Sequence, residues 1–375
     1  MILSMIADNP WVDAVARMGI VALLVPISVI VLTWVERKVI GRLQMRLGPM
    51  RVGPYGLLQG VADTIKLLTK EDLRPQTADR WTFELAPFVI VVPVLMAVVS
   101  LPFTADLFVR NMGIGLFYIV AVSGFSIVGF VMAGWGSDNK YALLGGLRAG
   151  AQLISYEIPL ILAVVSIAML GQTLDLQTIV GQQHATPYIA YQPLAFLLFA
   201  IAGLAELYRQ PFDIPVAESE VVGGPFVEYS GIRWSMFQMA EFVSLVLISI
   251  LGSLIFLGGW SWPLGREPAV ALQVILMVIK TSAFILFFMW MRASMPRLRI
   301  DQMMSFCWQV LLPFAFLQII INGLVLVYGW PDWTLTIFSG AGAIAAVYLT
   351  HISARRAGVP LEPSAYGGQR LGGVL

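Results

Sequence analysis

Residues 235–258 read SMFQMAEFVSLVLISILGSLIFLG, a run whose only charge is Glu241. At 1.5 Å per residue, about 24 residues of helix span about 36 Å, enough to cross a hydrocarbon core ~30 Å thick. The apolar positions are continuous, not alternating, so the run reads as a helix that pairs its backbone internally and not as a lipid-facing strand. Glu241 lies about six residues, or ~9 Å, into that helix. A charge at such depth is costly unless it is paired or hydrated, so it must face other protein or water.

The pattern recurs along the chain. Apolar runs cover about 14–35, 86–105, 113–134, 146–170, 188–208, 235–258, 270–291, 304–328 and 333–352, the last rich in Gly and Ala. The chain is 58% hydrophobic and 12% charged, against about a quarter charged in ordinary soluble domains. The expectation is an all-α polytopic transmembrane helix bundle of about nine spans, forming one integral membrane domain over residues 1–375. No soluble domain or internal repeat interrupts it. Residues 1–12 hold Asp8, Asn9 and Pro10 without a basic start, unlike a cleavable signal peptide.

Lysine and arginine set the orientation. With the N-terminus outside, the loops after spans 1, 3, 5 and 7 and the C-terminal tail hold 19 of the 23 basic residues. The opposite side holds Arg17, Arg110 and Arg266, and Lys280 lies inside span 7. The basic loops are therefore expected on the cytoplasmic side.

Several chemistries are disfavoured. The lone Cys307 cannot hold an iron–sulfur cluster, and His184 and His351 have no sequence neighbour suited to a metal. No glycine-rich nucleotide fingerprint follows a strand. GGLRAG at 145–150 sits at a helix start, where close helix packing is the better reading. Any redox chemistry must use a diffusible or externally held cofactor, with no metal, flavin or iron–sulfur cluster bound by this chain.

Two loops stand out. After span 1, Glu36 and Arg37 sit at the mouth of the membrane, and Gly-Pro pairs at 48–49 and 53–54 impose tight turns. Leu57, Leu58, Val61, Ile65 and Leu68 then form an apolar stripe opposite Gln59, Asp63, Lys66 and Lys70. This is the pattern of a short amphipathic helix lying in the interface plane. Such a loop is either a surface anchor or the frame of a lateral opening for a lipid-soluble ligand. The second loop, AELYRQPFDIPVAESE at 205–220, carries Glu206, Arg209, Asp213, Glu218 and Glu220; Glu228 and Glu241 follow. Glu157 lies near the middle of span 4, in SYEIP. Pro159 lacks an N–H and frees the carbonyl of Ser155 for another partner. Buried acids of this kind are either hydrogen-bonded struts between helices or steps of a proton path. Their succession on neighbouring spans beside an acidic loop favours the path.

ERK at 36–38, RLGPMRVGPYGLLQGVADTIKLLTKED at 46–72, LRAGAQLISYEIP at 147–159, AELYRQPFDIPVAESE, VEYSG at 227–231 and RASMPRLRIDQMM at 292–304 together resemble the NADH-quinone oxidoreductase H-subunit family. The motifs run in family order over about residues 20–330. The resemblance implies a helical membrane subunit of respiratory complex I in a bacterial cell membrane, with no redox centre of its own. Electrons would come from an iron–sulfur cluster in a peripheral-arm subunit, and ubiquinone or menaquinone would enter between span 1 and the in-plane helix.

The resemblance also implies a division into a quinone-entry region (14–80), a five-helix unit (86–258), C-terminal spans (270–352) and a cytoplasmic tail (353–375). Its partners would be the quinone-site and cluster-bearing subunits and small membrane-arm subunits. Carried over by motif, Glu36, Arg37, Asp63, Lys66, Arg209, Arg292, Arg297, Arg299 and Asp301 would border the quinone. Glu157, Glu206, Asp213, Glu218, Glu220, Glu228 and Glu241 would form the acidic chain. The sequence departs from the family's usual residues at Met50, Val216 and Ile300. The homologous subunit of an energy-converting hydrogenase, a stand-alone cation or proton antiporter, and a structural anchor are the rival readings.

Overall fold

The computed structural model describes residues 10–356 except 106, 185 and 263–268; side chains are described from residue 23 onward, except at 218, 219 and 351–356. The side chain of Arg17, all of Arg266, the extreme N-terminus and the tail after 356 lie outside the described residues.

The described residues are helical, with one isolated bridge between Pro102 and Phe108. Helix α1 spans Pro10–Leu43. The short α2, Gln59–Thr69, follows a turn at Pro54–Gly56. Then come α3 (Arg80–Val99), α4 (Gly115–Ser123), α5 (Ser126–Gly136), α6 (Lys140–Gly171), α7 (Leu176–Gln182), α8 (Tyr188–Tyr191) and α9 (Pro193–Glu206). The chain continues through α10 (Glu218–Val221), α11 (Gly231–Leu257), α12 (Val270–Ser294), α13 (Ile300–Phe306), α14 (Leu312–Tyr328) and α15 (Trp333–Arg356).

Seven stretches among the described residues are long and apolar enough to cross a membrane: α3, α4 with α5, α6, α11, α12, α13 through α14, and α15 as far as Thr350. Together with α1 and the shorter α9, they are compatible with the nine runs read in the sequence.

Local chemistry sets where the helices begin and end. Asp79 accepts from Thr82 N–H at 3.1 Å to open α3, and Asn139 accepts from Tyr141 N–H at 2.9 Å to open α6, the usual use of short polar side chains at an N-cap. Gly258, at φ 70°, closes α11. Lys280 of α12 then donates to the carbonyls of Leu257 and Ser261 at 2.7 and 2.9 Å. It thereby places a cation at the negative end of α11.

Three of the apolar runs are not continuous α-helices. Run 188–208 is broken at Gln192, because Pro193 lacks an N–H and disfavours helical geometry in the residue before it. The buried Gln192 side chain bonds Ser166 on α6 at the break. Run 113–134 is interrupted between Ser123 and Ser126. Run 304–328 contains a π-turn at Cys307–Leu311. There, the Cys307 thiol donates to the Ser155 carbonyl at 3.1 Å, the acceptor that Pro159 leaves free.

The centre of the bundle is α11, whose apolar stretch is 78% buried, packed with α1, α3, α9 and α12. Glycines let α6 approach its own neighbours. A Cβ on Gly146 would lie 3.1 Å from Gly134 Cα, and one on Gly145 would collide with Gly224. GGLRAG is thus a packing surface, as its position suggests.

Candidate functional site

Glu36 and Arg37 are neighbours on α1 and separate sharply in space, since successive helical residues point about 100° apart. Arg37 is half-exposed and pairs with Asp63 of α2 at 2.6 Å. Glu36 turns inward and is only 6% exposed. One of its oxygens accepts from Arg209 Nη1 at 2.5 Å; the other accepts from Arg292 Nη1. Arg209 is 1% exposed, lies over the Phe242 ring, and places Nη2 3.1 Å from Glu241 Oε1. Two carboxylates and two guanidiniums, from α1, the α9–α10 loop, α11 and α12, thus form one network that carries no net charge. Burying a lone member would be prohibitive; the mutual pairing is what makes the arrangement tolerable.

The network stands between two cavities. The outer one, about 450 Å³, lies between α1, α2 and α11. Pro26, Val29 and Ile30 give it an apolar flank, while Glu36, Arg37 and Asp63 give it a polar end. Helix α2 turns Gly60 and the half-buried Asp63 inward and leaves Val61, Ile65 and Leu68 exposed. The inner cavity, about 190 Å³, is lined by Glu206, Asp213, Glu241, Ser123 and Ser126. Trp234, Gln238 and Arg292 border both cavities.

The other residues singled out in the sequence divide between this centre and its periphery. Asp213 pairs with Arg297 at 2.8 Å at the inner cavity. Burial pushes its carboxyl above the ordinary range, and Arg297, Arg292 and Arg209 pull it back down. Glu206 lines the same cavity, and its Oε2 is buried without a hydrogen-bond partner. Glu157 lies apart, on α6, beyond Gly124. Glu220 pairs with Arg148 at 2.5 Å, and Glu228 accepts from Asn139 at 2.6 Å, both outside the cavity linings. The side chain of Glu218 is outside the described set. Lys66, Arg299 and Asp301 are exposed. Val216, where the family usually has an acid, lines the inner cavity.

The reading from sequence passed over Trp234, Gln238 and Tyr208. Trp234, Gln238 and Glu241 fall at i, i+4 and i+7, one face of α11, and that spacing was the available signal. The meeting of Glu36 with Arg209, 173 positions away, left no local trace.

Comparison with known proteins agrees with the motif order. A family model described as NADH dehydrogenase matches residues 16–323. The chain is 47% identical over 293 residues to the NADH-quinone oxidoreductase H-subunit of Brevibacillus brevis, covering 78% of this chain and 87% of that protein. It is 46% identical over 321 residues to the H-subunit of Geobacillus kaustophilus, covering 84% and 95%. Against the H-subunit of Dehalococcoides mccartyi (strain CBDB1) it is 41% identical over 330 residues, covering 88% and 91%. The chain belongs to the NADH-quinone oxidoreductase H-subunit family.

Proposed function

We propose that this chain is the membrane subunit of a proton-translocating NADH-quinone oxidoreductase, that its outer cavity receives the quinone, and that its buried acids couple quinone reduction to proton movement. The observation that carries this reading is the charge-balanced Glu36–Arg209–Glu241–Arg292 network joining the two cavities. An apolar flank with a polar end suits an amphiphile with a polar ring and a hydrocarbon tail. The exposed apolar stripe of α2 suits the membrane interface.

Reducing a quinone to a quinol consumes two electrons and two protons. The electrons would arrive from a cluster-bearing partner subunit, since the lone Cys307 cannot supply the several thiolates of an iron–sulfur cluster. Negative charge developing on the ring would draw on Arg292 and Arg37. Glu36 shares Arg292 with that ring, so its hold on Arg209 would tighten or slacken with the redox state. Glu241, on the other side of Arg209, would feel the change in the inner cavity. One end of the bundle is tied together by Arg233 of α11 with Asp72 of the α2–α3 loop, Arg292 of α12 with Glu36 of α1, and Arg297 of the α12–α13 loop with Asp213 of the α9–α10 loop. That end would face the cytoplasm and dock the peripheral-arm subunits.

Filling the mouth tests the assignment. Thr64 lines the outer cavity from the exposed side of α2. Thr64→Trp in the assembled complex is expected to raise the KM for a long-chain quinone about tenfold, the effect of ~1.4 kcal/mol. NADH oxidation by a hydrophilic acceptor, which needs no membrane cavity, stays unchanged. An unaltered quinone KM would remove the outer cavity from the quinone's route.

A further inference from the structure

The interruption between α4 and α5 falls within an apolar stretch of 22 residues and contains no proline; its sequence is SGFS, 123–126. Here the backbone bonds tighten to a three-residue spacing. Phe125 N–H donates to the Val122 carbonyl, Ile127 N–H to Gly124 and Val128 N–H to Phe125, each at 3.2 Å. Such tightening inside a helix often marks a functional position.

Two separate features converge on it. On one side is the inner cavity, whose wall includes both Ser123 and Ser126. Glu206 Oε2 and Tyr208 Oη are buried there with no hydrogen-bond partner. This cavity, about 190 Å³, has room for several waters at ~30 Å³ each, and Glu206, Tyr208, Asp213, Gln238 and Glu241 supply polar groups on its mostly apolar wall to hold them. On the other side is Glu157. A Cβ on Gly124 would stand 2.5 Å from Glu157 Oε1, so the carboxylate occupies the space that any side chain at 124 would take. Glu157 in turn lines an apolar cavity of about 150 Å³ with Phe117, Val120 and Ile161. Gly124, which abuts Glu157, thus lies between two residues that line the inner cavity.

We infer that the Ser123–Ser126 break links the inner acid cavity to Glu157, with the two serine hydroxyls positioning a water chain and Gly124 leaving room for the carboxylate to meet it. This rests on the proton-path reading above and adds residues to it. Ser123 Oγ donates its one proton to the Val120 carbonyl at 2.9 Å, which fixes the rotamer and leaves its lone pairs to accept from a water, so the serines orient the chain and the waters carry the proton. Each passage moves one proton from a donor such as protonated Glu206 to the Glu157 carboxylate and leaves Glu206 ionised.

The test is made on the assembled complex in sealed vesicles, measuring NADH-driven quinone reduction and protons moved per NADH. Ser123→Ala/Ser126→Ala removes both hydroxyls with little change of volume. Losing one or two hydrogen bonds from the chain is expected to slow coupled turnover about three- to tenfold, with a larger solvent deuterium isotope effect. Ser123→Thr/Ser126→Thr, which keeps the hydroxyls, restores most of the rate. Gly124→Ala lowers proton movement further, and the serine variants decide the matter if the alanine disturbs assembly. Wild-type rate, isotope effect and proton yield in the double alanine variant would overturn the link. Glu157→Gln is measured alongside. If it too behaves as wild type, the broader proton-path reading fails; if it is impaired while the double alanine variant is not, only the serine link fails.

Discussion

At the scale of single residues, the account turns on how burial and charge are balanced. Arg209 is the largest fully buried side chain among the described residues and is held between Glu36 and Glu241. Removing one partner of such a set leaves an uncompensated buried charge, about 3–5 kcal/mol of destabilisation. Arg209→Met is therefore expected to reduce assembled complex sharply, as quantified by native electrophoresis. Adding Glu36→Gln removes part of the stranded negative charge and recovers some of the loss. Equal yields for the single and double variants would mean that the two residues are not coupled.

Asp213 makes a pH-dependent prediction. Arg297 is one of the groups that lower its raised pKa. Arg297→Gln removes that influence, so Asp213 ionises at higher pH. If turnover needs ionised Asp213, the acidic limb of the quinone-reductase pH profile moves upward. A limb that stays in place would assign it to another group. The candidate acids and arginines were legible as residues because charge is rare in this chain and expensive inside a membrane. Their pairings were not. Nothing near Glu36 in sequence distinguishes its inward course from the outward course of Arg37; only the packing of α1 against α11 and α12 does.

At the scale of elements, long apolar runs declared the helices, since lipid demands internal backbone pairing and a minimum length. The amphipathic stripe at 57–68 is compatible with α2, which begins at Gln59 and leaves Val61, Ile65 and Leu68 exposed. Interruptions were harder to read. Pro193 announces the break before α9, because proline acts through local covalent geometry. SGFS carries no comparable signal; at its break Gly124 abuts Glu157, and Ser123 and Ser126 line the inner cavity. The π-turn at Cys307–Leu311 is similar. Its buried thiol finds the Ser155 carbonyl, freed by a proline on α6, about 150 residues earlier in the chain. Proline identified the free acceptor, and the donor came from tertiary structure.

At the scale of the whole molecule, the helices bring a ligand-sized cavity with an apolar flank and an acid-lined inner cavity to either side of one electrostatic network. Membership in the H-subunit family gives that arrangement its setting, a complex in which quinone chemistry meets the membrane. The central claim is that the network transmits, and does not merely hold helices together. The most direct measurement is the number of protons moved per NADH oxidised in vesicles containing assembled complex with Glu241→Gln. This change keeps the side chain's size and removes its negative charge beside Arg209. The account predicts a lower proton yield together with slower turnover, on the order of tenfold, one barrier increment of ~1.4 kcal/mol. A wild-type proton yield at a wild-type rate would contradict it and leave Glu241 as a structural counter-charge.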